Sequence, residues 1–129
     1  MSIENRKRPN PRQRGSQHEA HACRFLEKQG LVLVCRNYLC RLGEIDLIML
    51  DCDQFLVFVE VRFRRQARFG GAIASVTYHK QRKLRLAASH FLITHRAFSH
   101  YACRFDVIGM SQTRPNDQVQ FEWIQQAFT

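Results

Sequence analysis

Gly43-Glu44-Ile45-Asp46-Leu47-Ile48-Met49-Leu50, then Asp51-Cys52-Asp53-Gln54, then Phe55-Leu56-Val57-Phe58-Val59-Glu60-Val61-Arg62-Phe63: two apolar runs around a short polar segment read as a β-hairpin. Side chains alternate along a strand, so Ile45, Leu47 and Met49 are expected on one face of the first run and Glu44, Asp46, Ile48 and Leu50 on the other. In the second run Val57, Val59 and Val61 share one face, and Phe58, Glu60 and Arg62 the other. Both runs are apolar on both sides, which marks central strands covered on each face. Two carboxylates, Asp46 and Glu60, therefore project from largely buried strands.

Register decides whether those two acids meet. A three-residue loop, Cys52 to Gln54, pairs Asp51 with Phe55 and sets Asp46 directly opposite Glu60. A loop one residue shorter or longer sends Glu60 to the other face. Patterning alone does not choose, because both faces are apolar. The chemistry favours the first register: carboxylates about 5 Å apart across a sheet repel unless a cation lies between them. Mg²⁺ (or Mn²⁺), a hard ion preferring oxygen ligands, suits that position. Arg62, two residues beyond Glu60 on the same face, points into the same site. A carboxylate pair with a cation one step along the strand suits phosphodiester hydrolysis; the alternative is a buried Asp–Glu–Arg pairing of purely structural use.

Working outward, Gln17 to Gln29 reads as a helix stopped by Gly30, with a stripe of Ala22, Cys23 and Leu26 beside Phe25. Glu19 falls on the inward edge of that stripe, where it serves either the helix dipole or the site. Leu31–Cys35 is a β-type run. Arg64 to Tyr78 is expected to be a loop around Gly70-Gly71, long enough to suspect function. His79 to His95 carries a second helical stripe of Leu84, Ala88, Phe91 and Leu92, with Thr77 as N-cap. Tyr101–Met110 and Val119–Ile124 close the pattern as strands. The predicted order, α-β-β-β-α-β-β, is an α/β arrangement with a central mixed sheet of about five strands flanked by helices.

The 129 residues suit a single domain over 17–129, preceded by a basic arm at 1–16 that either follows phosphates or merely aids solubility. Twenty Lys and Arg against eleven Asp and Glu give a net charge of +9, and the signs are segregated. Between Val61 and Phe105 there is no acid, while ten basic residues fall there. That distribution points to a polyanionic partner, with Arg64, Arg65, Arg68 and Lys80 as expected phosphate contacts. Five cysteines, without a C-x-x-C or a preceding secretory leader, read as reduced, mostly buried thiols of a cytoplasmic protein. No apolar run approaches a membrane span.

The GEIDLI and FVEVR segments, with Gly70-Gly71-Ala72, Ala74-Ser75-Val76-Thr77, Lys80-Gln81, Lys83-Leu84 and Cys103-Arg104-Phe105-Asp106-Val107, resemble the YraN family of small bacterial proteins. That family resembles the restriction-endonuclease-like PD-(D/E)XK superfamily, Holliday junction resolvases above all. The resemblance implies a restriction-endonuclease-like core with Glu19, Asp46 and Glu60 as acids, all three metal-binding. Arg62 stands in the place of the usual lysine and Ile45 in that of the proline. It also implies that Gln81 and Lys83 face the site and the backbone phosphates. The implied activity is a metal-dependent endonuclease on DNA rather than RNA, branched or damaged DNA included. A catalytically inactive nucleic-acid-binding module on the same fold is the alternative, and a homodimer is compatible with the likeness to resolvases. An arginine stays protonated, so Arg62 is expected to stabilise charge and not to act as a base.

Overall fold

The computed structural model describes residues 11–65 and 71–129. Arg68, Gly70 and the first ten residues of the expected arm lie outside that range. Helix α1 runs Pro11–Lys28, so the expected boundary at residue 16 falls within it. Proline is tolerated at a first helical position, where its missing N–H has no partner to lose. The helix ends as its sequence requires: Gly30 adopts φ +102°, its N–H reaches Glu27 O at 3.0 Å, and Leu31 N–H reaches Leu26 O at 3.1 Å. This paired closure satisfies two terminal carbonyls and sets Leu31 against Leu26 in the core.

Strands β1 (Val32–Cys40), β2 (Gly43–Leu50) and β3 (Phe55–Arg64) follow, β1 reaching five residues beyond the expected Cys35. The expected loop after β3 contains a short helix, α2 (Gly71–Ala74), before α3 (Tyr78–Thr94). Thr77 caps α3 as anticipated, its hydroxyl accepting the Lys80 N–H at 3.2 Å. A 3-10 turn at Arg96–Phe98, which no periodicity announced, leads to β4 (Ala102–Ser111) and β5 (Gln120–Phe128).

The five strands form one mixed sheet in the order β1-β2-β3-β4-β5, antiparallel except for the parallel β3–β4 pair. The parallel pair demands a crossover, which α2 and α3 supply. On one face α3 buries Leu84, Ala88 and Phe91 against Ile48, Phe58 and Val107. On the other, α1 buries Ala22, Cys23 and Leu26 against Leu47, Met49, Val57, Val59 and Ile108. The β2–β3 hairpin is thus covered on both sides, as its two-sided apolarity required.

The hairpin turn has the three-residue form. Gln54 takes the left-handed φ +64°, Asp51 N–H reaches Phe55 O at 3.1 Å, and Asp51 Oδ1 accepts the N–H groups of Asp53 (3.0 Å) and Phe55 (2.8 Å). The ladder then pairs Leu50 with Leu56 and continues to Leu47 with Val59, the register that carries Asp46 opposite Glu60.

Two expectations need correction. Ile45 does not share a face with Leu47 and Met49; it packs in the opposite layer, with Ile48 and Leu84. The alternation slips at Asp46, across from which Asn37 adopts φ +53° between the Arg36–Leu47 and Tyr38–Ile45 pairs. The left-handed residue rotates the local pleat, which a two-residue period does not foresee. The cysteines are all free, yet only Cys23 is buried: Cys35 and Cys40 are half-buried, and Cys52 and Cys103 are exposed. The last two sit at the hairpin turn and near the start of β4.

Candidate metal centre

Because the pleat slips at Asp46, its carboxylate leaves the layer of Ile48 and turns into the seam where β2 and β3 part. The ladder stops at Leu47–Val59, and the Val61 N–H donates instead to Asp46 Oδ2 at 2.8 Å. A side chain that accepts a main-chain N–H of the next strand lies near the plane of the sheet. From there Asp46 meets acids from both layers. Glu19 of α1 lies on one side and Glu60 of β3 on the other, and Asp46 raises the carboxyl of each.

Glu19, Glu44 and Asp46 offer carboxylate oxygens that all lie within 4.8 Å of one another, the one such group among the described residues. Glu44 was not singled out in the sequence. The signal was there, since it lies two residues before Asp46 and alternates to the same side. Glu60 stands beside this trio and is otherwise engaged: Arg62 reaches its Oε2 at 2.8 Å and Lys80 at 3.8 Å.

Burial gives the acids their unusual character. Glu19 is 8% exposed and Glu60 4%, and one oxygen of each, Oε1, is buried without a hydrogen-bond partner. Such orphaned carboxylate oxygens are costly, and a bound cation is one of the few groups that satisfies them. Desolvation pushes the Glu19 carboxyl up to about 8, reinforced by Asp46 and Glu44 and opposed by Arg36. Desolvation does the same for Glu60, also to about 8, with the Asp46 charge adding to it and Lys80 and Arg62 pulling back. A hard, oxygen-seeking divalent cation fits the donor set: carboxylates crowded beyond what their own charges tolerate, with free oxygens facing inward.

The basic residues fare unequally. Arg62 points at the site as expected, and its Nε is buried without a partner in the described structure. Lys80, half-buried at the start of α3, joins it on Glu60. Gln81 turns its amide to the Val76 carbonyl at 3.1 Å, tying α2 to α3. Lys83 and Arg65 are exposed, while the Arg64 guanidinium lies against Gly71.

A second buried polar cluster was not foreseen. Asp106, fully buried, accepts from Arg104 Nε (3.0 Å), Trp123 Nε1 (2.9 Å) and the Gln126 N–H (2.9 Å). Arg104 also reaches Asp51 Oδ2 at 2.6 Å. Each of these groups has a hydrogen-bond partner, in contrast to the acid cluster, so it reads as a structural clasp between the hairpin turn, β4 and β5.

Among known proteins, residues 18–110 match the family described as "Uncharacterised protein family UPF0102". A UPF0102 protein of Alcanivorax borkumensis is 52% identical over 116 residues, 88% of this chain and 90% of that one. One from Nitrosococcus oceani is 48% identical over 117 residues, 91% and 92% of the two chains. A third, from Methylobacillus flagellatus, is 50% identical over 118 residues, 92% and 98% of the two.

Proposed function

The chain belongs to the UPF0102 family, and we propose that it is a metal-dependent endonuclease that hydrolyses phosphodiester bonds in DNA. The observation that carries this reading is the gathering of Glu19, Glu44 and Asp46 into one cluster of carboxylate oxygens with Glu60 beside Asp46, and with buried oxygens of Glu19 and Glu60 left without partners. A structural cluster would satisfy its own hydrogen bonds, as Asp106 and its donors do.

Glu19, Glu44 and Asp46 would hold a Mg²⁺ or Mn²⁺ ion, with Glu60 at its flank. When bound, the ion supplies Lewis acidity toward a phosphoryl oxygen and lowers the pKa of water. The remaining work falls to the chain's own groups. Arg62 and Lys80 would offer N–H donors to the phosphate, fixed in place by their shared hold on Glu60. Arg62 remains protonated and acts only electrostatically. Glu60, with a carboxyl near 8, is poised to hold or release a proton at neutral pH. Residues Lys83 and Arg65 would steady the flanking backbone. The same Arg62–Glu60 pair supports a second reading, a nucleic-acid-binding module in which the pair stays closed and no cleavage follows.

Cleavage of linear, flapped and four-way DNA with Mg²⁺ or Mn²⁺ separates the two. Wild-type protein should cut at least one of these, and Asp46→Ala and Glu60→Ala should reduce the rate by a hundredfold or more, roughly the cost of losing a catalytic electrostatic group. No cleavage of any substrate, with wild type and variants binding DNA equally, would overturn the enzyme reading.

A further inference from the structure

Glu19 turns inward from α1, and the flank of the same helix turns outward onto a trough. Two adjoining cavities of about 390 and 430 Å³ run along it, sharing His21, Arg24, Gln112 and Val119 in their walls. The helical wall is cationic: Arg24 and Lys28 are exposed, and His21 lies between them and Glu19's neighbours. The opposite wall is aromatic. Phe63, the residue after Arg62, lines one end, and Phe121 of β5 lines the other, stacked on Phe25 with ring centroids 4.4 Å apart. The one acid in the lining, Asp117, has its carboxylate tied back to the Arg114 N–H at 3.1 Å. From Gln17 to Lys28 the wall extends about 16 Å at the rise of an α-helix.

We propose that this trough binds an unpaired nucleic-acid strand leading to or from the acid cluster, phosphates along Arg24 and Lys28 and bases against Phe63 and Phe121. The proposal rests on the nuclease reading for the direction of the strand, and it names the substrate feature that reading leaves open. Two features select a single strand. Cations along one wall match a phosphate backbone, and aromatic rings along the other match bases only when these are unstacked. The trough and the acid cluster share α1 and β3: Glu19 lies between two lining residues, His18 and Ala20, and Phe63 follows Arg62 on the other face of the strand.

Fluorescence anisotropy of the full chain in EDTA, with a labelled short oligodeoxythymidine and a duplex of matched length, tests this without cleavage. Wild-type protein should bind the single strand, and Phe121→Leu should weaken that binding at least about fivefold, the lower end of a lost base stack. The double variant Arg24→Ala/Lys28→Ala, at exposed positions that do not burden folding, should flatten the single-strand salt slope by roughly 1.4, two phosphate contacts' worth. Duplex affinity should change little in either. Photocrosslinking of an iodouracil-substituted strand should label peptides of α1 or β5. Wild-type affinity for the single strand in both variants, or full competition by polyglutamate, would overturn the proposal. Loss of single-strand binding in the groove variants with no cleavage in wild type would sink the nuclease reading and leave this one standing. Cleavage that persists beside unchanged single-strand binding in those variants would do the reverse.

Discussion

Asp46 is the residue on which the site turns. Among the described residues it is the acid that acts on both buried glutamates, so its charge contributes to the elevation of each. Replacing it with Asn keeps an oxygen for the Val61 N–H and removes that charge. In Asp46→Asn the Glu19 and Glu60 carboxyls should both titrate lower than in wild type, measured by carbon NMR of the side-chain carboxyls. They should remain above the ordinary range, because burial is the larger cause for both. The same groups set a pH dependence of stability. Each has a folded value of about 8 against an unfolded value near 4.5, so between those limits the folded state binds more protons than the unfolded one. Stability is then greatest below about 4.5 and falls as pH rises through 8. In chelator, the Tm should decline from pH 5 to pH 9, and millimolar Mg²⁺ or Mn²⁺ should offset the decline at the alkaline end. A Tm that rises over that range would contradict the burial of these acids.

At the scale of elements, the hairpin is fixed at both of its ends. Gly43 begins β2 where α3 passes close by: a Cβ built there would lie 2.9 Å from the Lys83 carbonyl oxygen, a backbone atom that cannot swing aside. Gly43→Ala should therefore destabilise by about 1–3 kcal/mol, the range for overpacking, read from the urea midpoint. At the other end of the hairpin, Asp106 joins Arg104, Trp123 and the Gln126 N–H, and Arg104 passes the link to Asp51 at the turn. Asp106→Ala would leave Arg104 with Asp51 alone and two N–H donors unmatched, so a loss of about 2–4 kcal/mol is expected. That loss belongs to the fold; nucleic-acid binding by the protein that remains folded should be unchanged.

Across the whole molecule, the parallel β3–β4 pair explains why basic and acidic residues meet. The chain must leave β3, cross over the sheet and return for β4, and the crossover helix α3 starts beside the C-terminal half of β3. The acid-free stretch is largely that crossover, which is how Lys80 comes to touch Glu60. Ligands of open α/β sheets commonly lie at the carboxyl ends of parallel strands, and Glu60 to Arg64 occupy that end here. With a net charge of +9, affinity for DNA should fall linearly with salt on a log–log plot, and its slope should shrink in Lys80→Ala and Lys83→Ala. A slope near zero would rule out phosphate contacts as the source of binding. No helix among the described residues is long and apolar enough to cross a membrane.

The sequence by itself determined the hairpin and both helical stripes, and it narrowed the register to a few loop lengths, of which the three-residue turn sets Asp46 opposite Glu60. These depend on interactions between near neighbours: alternation, caps and the geometry of a tight loop. It also placed Glu19 on an inward edge and Arg62 beside Glu60. Only the tertiary structure decided the rest. The slipped pleat at Asn37 and Asp46 moved Ile45 to the other layer and turned Asp46 into the seam, where Glu44 joins Glu19 around it. Gln81 went to the Val76 carbonyl, and Asp106 found its partners on β5, twenty residues away in the case of Gln126. Such choices rest on groups distant in sequence competing for the same buried volume and hydrogen bonds, and no local pattern records who wins. Asp46 and Glu60 thus meet as the hairpin dictates, but the packing of α1 decided that the cluster of three carboxylates forms on the Glu19 side of that pair.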